Sequence, residues 1–399
     1  MKNTTVVGIH KLELYIPDSY LTLNSLAAHH DIAPEKYILG IGQSKMAVPS
    51  PDEDVITLAA NAAQSVLDSL TSQEAQSIST LIFATESSVD QSKSGAAYLM
   101  GLIDIQSNCR AFEIKQACYA GTAGLQMACD LAKTRPEESI LLVASDIARY
   151  KQNSPGECTQ GAGAIAMLIS ANPDIVEIDP ERGFYSTDIM DFWRPNDFKH
   201  ALVDGELSKD AYLNIMNKSY LNYIHKGGKS LAEFDWLCFH QPFTKMANKA
   251  YRHLKESFVD EMKDKTEASY AITQTYGRVI GNTYTASLYI GLLSLLDNAE
   301  QDVSGQKIGF FSYGSGAVGE FFSGTINQNY RLGISTKHNK QRLSERHEIN
   351  YDTYIDYMYQ TQDVGQREDI KSQSKFKFIG ITDHKRVYQR CPMLKRKAA

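Results

Sequence analysis

The chain is expected to fold as an α/β protein built from two similar halves, and three features lead to that expectation. Short apolar runs of strand length alternate with longer segments of helical periodicity, the pattern of βα units. The order of these segments occurs twice. A strand ends on a polar residue, Glu86 or His240; a helix follows, then a helix beginning at Cys118 or Asn282, a strand, a glycine-rich turn and a further strand. Finally, 399 residues suit two domains or one internally duplicated unit. Such a duplication predicts halves related by a pseudo-twofold axis, with buried helices between mixed sheets. Residues 1–170 would carry Glu86 and Cys118, and residues 171–399 would carry His240, Asn282 and Ser315 plus a C-terminal extension.

Taken in order, Val6 to Ile16 reads as a strand closed by Pro17-Asp18-Ser19, and Ile38 to Pro49 as loop and turn. The acidic triplet Asp52-Glu53-Asp54 opens a helix from Val55 to Leu70, its charge complementing the positive end of the helix dipole. Leu81 to Thr85 is a buried strand with Glu86 at its end, and Lys93 to Leu102 a helix. Phe112 leads into a tight turn at Cys118. Leu125, Ala128, Cys129 and Ala132 then recur at helical spacing. A cysteine at such a helix start would sit near free N–H groups that favour the thiolate.

Ile140 to Ser145 is the next buried strand, and the loop Gly156 to Gly163 runs into a strand at Ala164 to Ile169. Asp191 to Pro195 and Gly205 to Lys209 read as loop and helix start. Trp236 to His240 is a short strand stopped by Pro242, followed by a helix from Phe243 to Leu254. Gly281-Asn282 opens a small-residue helix, Thr283 to Leu296. Lys307 to Ser312 and Glu320 to Ile326 are strands flanking the turn Tyr313 to Gly316. From Arg331 the chain turns polar and tyrosine-rich, with one more strand at Phe376 to Ile381 and a tail beyond.

Composition narrows the classes. Hydrophobic residues make up 43% and charged residues 22%, which suits a soluble globular protein. With 41 basic and 47 acidic residues the net charge is −6, so no basic field recommends nucleic acid or an anionic membrane. The terminal Lys395-Arg396-Lys397 is too short to reverse that balance. The six cysteines show neither metal-ligand spacing nor a disulfide framework. No run approaches the roughly 18 apolar residues of a membrane span, and no secretory signal is expected. The cytoplasm is the expected location, and neither metal nor cofactor is expected. Gly314 to Gly319 formally fits GxGxxG, but Glu320-Phe-Phe-Ser reads as a strand where a dinucleotide site needs a helix.

Glu86, Cys118, His240 and Asn282 each stand at a strand end or helix start, where α/β folds present side chains at a site. Each also has an ordinary structural reading: a helix cap, a buried thiol, a satisfied core histidine, an N-cap.

Particular stretches point further. They are Gly40-Ile-Gly-Gln43 with Met46-Ala-Val48, Ala84-Thr-Glu-Ser87, Glu113-Ile-Lys-Gln-Ala-Cys-Tyr119, Gly161-Ala-Gly163, Asp191-Phe-Trp-Arg-Pro195, Phe239-His-Gln-Pro-Phe-Thr-Lys-Met246, Gly281-Asn-Thr-Tyr-Thr285 and Ser312-Tyr-Gly-Ser-Gly316. Through them the chain resembles the hydroxymethylglutaryl-CoA synthases, condensing enzymes of the mevalonate pathway. The resemblance implies a thiolase-like fold of five layers, αβαβα, and a homodimer. It implies that Cys118 is acylated by acetyl-CoA, and that Glu86 takes a proton from the acetyl methyl so that the carbanion attacks acetoacetyl-CoA. His240 would bind the acetoacetyl group, and water would release the product. Thr159, Ser208, Lys249, Asn282 and Ser315 match substrate-binding positions, and Lys245 and Lys249, on one helix face by their i, i+4 spacing, would hold CoA phosphates. The chain departs from the family at Met190, where Tyr is usual, and at Ala33, where bacterial members often carry Asp. Alternative readings are a polyketide β-branching synthase acting on carrier-protein-bound chains, and a non-catalytic acyl-CoA-binding protein.

Overall fold

A computed structural model of the chain describes residues 5–359 and 372–391. In chain order the strands are β1 (Val7–Tyr15), β2 (Ser19–Thr22), β3 (Lys45–Val48), β4 (Ile78–Ala84), β5 (Arg110–Ile114), β6 (Ser139–Ile147), β7 (Ala162–Ala171), β8 (Val176–Ser186), β9 (Phe192–Trp193), β10 (Leu202–Val203), β11 (Trp236–Phe239), β12 (Lys307–Gly314) and β13 (Val318–Ile326). Nine of these join in the order β11-β12-β13-β8-β1-β7-β6-β4-β5.

The seam between β1 and β8 is thin, only Gly8↔Glu177 and Ile9↔Val176, whereas β1 pairs with β7 along its length. The chain therefore forms two sheets that touch along one edge. Both show the same succession of pairings. In the first, β4 runs parallel to β6, β6 antiparallel to β7 and β7 antiparallel to β1. In the second, β11 is parallel to β12, β12 antiparallel to β13 and β13 antiparallel to β8. The repeat read in the sequence is thus a repeat of topology.

Side-chain alternation along the strands makes the layers. Phe83, Leu141 and Val143 face outward against helix Val55–Asp68, whereas Ile82 and Leu142 face inward. The inward set meets two central helices, Ala120–Thr134 and Ser287–Asn298, which also cover Phe310 and Phe322 of the second sheet. Helix Ser287–Asn298 is buried from Ser287 through Asp297, as a helix between two sheets must be. On the far side, Phe239, Phe311 and Phe321 pack under helices Gly205–His225 and Met246–Ser257. Helix, sheet, helices, sheet, helices is the expected five-layer arrangement.

Local differences have physical reasons. The segment expected as helix Lys93–Leu102 is helical only over Gly95–Leu99, capped by Ser94. Strand β8 went unread because Glu177, Asp179, Glu181 and Arg182 interrupt its apolar pattern. The helix expected at Thr283 begins at Ser287, after a 3₁₀ turn at Tyr284–Ala286.

Beyond Ile381, where a tail is expected, the chain forms a further strand, Lys385–Arg390. Helices Thr336–Glu345 and Tyr351–Tyr359 pack on the body, and Phe376–Thr382 pairs with Lys385–Arg390 in a hairpin. Phe376 is fully buried, and Arg386 holds Asp54, the cap of helix Val55–Asp68, at 2.6 Å. The basic cluster at 395–397 lies outside the described residues. Among the described residues no helix is long and apolar enough to cross a membrane.

Candidate active site

Strand β5 ends at Ile114, and helix Ala120–Thr134 begins six residues later. Between them Ala117 takes a positive φ of 45°, a conformation alanine rarely adopts. The turn is closed by Tyr119 N–H donating to Gln116 O at 3.1 Å and Ala120 N–H donating to Ala117 O at 3.2 Å. Cys118 sits at its apex. Gly314, at the end of β12, lies against this turn so closely that a Cβ would stand 2.5 Å from Gln116 O and 2.7 Å from Tyr119 N. The glycine-rich turn thus lets the second half's backbone approach the Cys118 turn. Strand β13 starts directly after it, so the helix a dinucleotide site requires is absent there.

Glu86, just beyond β4, meets this thiol. Cys118 Sγ donates to Glu86 Oε2 at 3.4 Å. Burial, and then the neighbouring Asp146 carboxylate, push the Glu86 carboxyl up to about 8. Burial, Glu86 and Asp146 likewise push the Cys118 thiol well above its ordinary value. The expectation that the helix start would favour the thiolate is therefore corrected: desolvation and two adjacent carboxylates outweigh the helix terminus. The pair holds its protons at rest. The acceptor beside the thiol proton is Glu86, whose affinity lies close to the ideal for a base working near neutral pH.

Asp146 was not singled out in the sequence, although it is the only charged residue in β6, a strand buried at every position. Its carboxylate accepts from Thr85 Oγ1 at 2.8 Å, Glu86 N at 2.9 Å, Thr285 N at 3.1 Å and Thr285 Oγ1 at 2.5 Å. Asp146 thereby fixes the Glu86 backbone and ties the first half to the second half's helix start. Asp146→Asn would turn an amide NH2, a donor, towards donors and remove the charge beside Glu86. The expected result is a loss of about 2–3 kcal/mol in chemical denaturation and a rate–pH midpoint displaced to lower pH.

An aromatic wall completes the pocket. Cys118 packs against Ala148, Tyr150 and Tyr284, with Phe192 alongside. Ring centroids lie 6.0 Å apart for Tyr150–Phe192 and 5.9 Å for Phe192–Tyr284. Tyr284 also has a positive φ, 46°, so the two halves carry one strained residue each beside the pocket. Arg194, from the Asp191-Phe-Trp-Arg-Pro stretch, donates from Nη2 to Glu86 O.

His240 follows β11, its amide donating to Phe311 O at 2.8 Å and its carbonyl accepting from Tyr212 Oη at 2.8 Å. Burial lowers its imidazole to about 3, so it is neutral throughout the working pH range. Its ring makes no hydrogen bond among the described residues. One strand over, β12 continues past Phe311 to its end at Gly314, which touches the Cys118 turn. Asn282 N donates to Thr159 O at 3.0 Å, and Asn282 Oδ1 accepts from Tyr284 N at 2.9 Å.

Thr159 Oγ1 donates to Gly156 O at 2.7 Å. Ser208 Oγ donates at 3.2 Å to Asp191, whose carboxylate also receives Tyr313 Oη at 2.7 Å and Gly316 N at 2.9 Å. This buried aspartate shapes the turn that carries the half-buried Ser315. The lysines divide. Lys245 precedes helix Met246–Ser257 and donates from Nζ to Leu39 O at 2.6 Å, whereas Lys249 is exposed with Nζ 5.2 Å from the Phe243 ring centroid.

Comparison with known proteins decides the family. The family description "Hydroxymethylglutaryl-coenzyme A synthase N terminal" matches residues 3–174, and its C-terminal counterpart matches 176–277 and 252–381. The chain belongs to the hydroxymethylglutaryl-CoA synthase family. It is 38% identical to the hydroxymethylglutaryl-CoA synthase of Enterococcus faecalis over 96% of this chain and 99% of that one. It is 32% identical to a polyketide 3-hydroxy-3-methylglutaryl-ACP synthase of Bacillus subtilis over 87% and 86% respectively.

A solved hydroxymethylglutaryl-CoA synthase in complex with CoA superposes with a TM-score of 0.91 at 35% identity, covering 97% of this chain and all of the other. A second, in complex with 3-hydroxy-3-methylglutaryl coenzyme A, gives 0.90 at 33%, covering 98% of this chain and all of the other. Hydroxymethylglutaryl-CoA synthases are thiolase-like, as the five layers indicate, and the chain is an enzyme of this type.

Proposed function

We propose that the protein condenses acetyl-CoA with acetoacetyl-CoA and water to 3-hydroxy-3-methylglutaryl-CoA and CoA, for the mevalonate pathway. The observation that carries this reading is the contact of Cys118 Sγ with Glu86 Oε2, 3.4 Å apart in a pocket that raises both proton affinities.

Glu86 accepts the Cys118 proton as sulfur attacks the acetyl thioester, and the departing CoA thiolate takes a proton. Glu86, ionised again, removes a proton from the acetyl methyl. The carbanion adds to the ketone of acetoacetyl-CoA, neutral His240 donates its ring N–H hydrogen bond to the developing alkoxide, and the proton Glu86 removed from the methyl returns to that oxygen. Water then cleaves the Cys118 thioester.

Asn282, Thr159, Ser208 and Ser315 line or shape the acyl end. Lys249 suits a CoA phosphate better than Lys245, whose ammonium already serves Leu39. The protein is read as a cytoplasmic homodimer that needs neither metal nor cofactor. The carrier-protein reading is second to it, since the Enterococcus faecalis relative is more similar than the Bacillus subtilis one.

Intact-mass spectrometry tests the reading. Acetyl-CoA alone should add one acetyl group at Cys118, and acetoacetyl-CoA should remove it as 3-hydroxy-3-methylglutaryl-CoA appears. A stable acetyl-enzyme that never transfers would point to a carrier-bound acceptor. No acetylation would sink the reading.

Two further results are expected. The acetylation rate should rise with pH to a midpoint near 8, because Glu86 must be unprotonated, with no second inflection from His240 between pH 5 and 8. A midpoint near 4.5 would contradict this. His240→Ala should keep acetylation but slow condensation by about 10²-fold, read as turnover against acetyl-enzyme formation.

A further inference from the structure

The loop from Tyr150 to Gly161 carries Tyr150 at one end, in the wall against Cys118, and Thr159 at the other. Its ends are drawn together by Ala148 N–H donating to Gly161 O at 2.9 Å and by Tyr150 N–H donating to Gln160 Oε1 at 2.7 Å. Gln160 is almost fully buried, and its amide is held in orientation from the other side. Gln160 Nε2 donates to Tyr354 Oη at 2.7 Å. The same hydroxyl donates to Glu157 Oε1 at 2.8 Å. Glu157, fully buried, receives Asn153 N–H on its other oxygen at 2.5 Å and faces His30 Nε2 at 3.3 Å.

Tyr354 is itself fully buried in helix Tyr351–Tyr359, in the segment whose contribution composition does not reveal. One hydroxyl thus bridges the two side chains that close the loop. Without it the Gln160 amide loses what fixes its oxygen towards Tyr150. The remaining support is Tyr359 Oη, at 3.3 Å from Gln160 Oε1 and 3.4 Å from Glu157 Oε1.

We propose that Tyr354 is a positioning residue for the acyl pocket, acting through Gln160 on the Tyr150 backbone and so on the wall that confines the group on Cys118. Its effect on turnover rests on the proposed function; its effect on Tyr150 does not.

Tyr354→Phe keeps the buried ring and removes only the hydroxyl. Tyr351→Phe, on the same helix, is the control. The Tyr351 hydroxyl accepts from Gln152 Nε2 at 3.1 Å, and its ring stacks on His29. The measurements are hydrogen exchange at the Tyr150 amide, kcat and KM for 3-hydroxy-3-methylglutaryl-CoA formation, and Tm.

In Tyr354→Phe the Tyr150 amide should exchange about tenfold faster. Its kcat should fall about 5–20-fold while KM for acetyl-CoA stays within about twofold, the split expected of lost positioning. Tyr351→Phe should show neither change. Native exchange at Tyr150, or an unchanged kcat, overturns the proposal. So does a general rise in exchange across β6 and β7 with a matching fall in Tm. Should the wild-type protein form no product, the functional reading fails instead, and the Tyr150 exchange comparison decides this inference alone.

Discussion

Glu86→Ala is expected to become acetylated and then stall. The variant keeps the Cys118 turn, which is held by Gln116, Ala117 and the approach of Gly314 rather than by the carboxylate. It also removes the nearer of two negative groups that raise the thiol's proton affinity, leaving Asp146 as the other. The eased ionisation of the thiol partly offsets the lost acceptor, so acetyl-enzyme should still accumulate, more slowly and without the midpoint near 8. The methyl proton is another matter. Among the described residues Cys118 Sγ makes no other side-chain hydrogen bond, so condensation should fall by about 10²–10⁴-fold, the scale of a lost general base. Stopped-flow quench with radiolabelled acetyl-CoA separates the two steps. Condensation within tenfold of wild type would remove Glu86 from this role.

Cys118→Ser should lose turnover by at least about 10⁴-fold, as expected when a covalent nucleophile is removed, with no change in secondary structure. The hydroxyl is smaller, and Glu86 would accept its hydrogen bond as it accepts the thiol's. Its proton affinity, however, lies far above that of a thiol already raised by burial and two carboxylates. A base near 8 cannot generate the alkoxide at a useful concentration. Intact mass should show no acetyl adduct, and circular dichroism should match wild type. An acetylated serine variant that turns over would contradict the assignment of sulfur as nucleophile.

What the sequence made legible follows burial and pattern. Strands such as β4 and β6 are buried along almost their whole length and read as apolar runs, so their positions were clear. Cys118, Glu86 and Asn282 stand at element boundaries, and the structure puts the first two in contact and the third beside Tyr284. Strand β8 was hidden because its polar residues alternate with few strongly apolar ones. Helix Gly205–His225 was seen only at its start, because tyrosines and polar residues make much of its buried face.

Asp146 was visible in principle, as a charge inside an apolar strand, but single-residue reading treats such a position as strand end. The helix-terminus argument for Cys118 failed for a different reason. It weighed one local dipole and had no means of counting carboxylates that arrive from residues 32 positions before and 28 after it. The contribution of the tyrosine-rich C-terminal segment was not legible, because hydroxyls buried against Glu157 and Gln160 look, in composition, the same as solvated ones.

The four hydrogen bonds on Asp146 divide evenly, two from Thr85 and Glu86 and two from Thr285, 139 residues further along the chain. One carboxylate therefore makes the acidity of the reactive thiol a reporter of assembly. If the chain were cut between β7 and β8, the N-terminal fragment would hold both Cys118 and Glu86 yet lack half the donors that settle Asp146. It would also lack Tyr284 from the wall around the sulfur. Alkylation kinetics of Cys118, followed on its own peptide, would change when the complementary fragment is added. The enzyme carries, in its own chemistry, a signal for whether its two pieces have met.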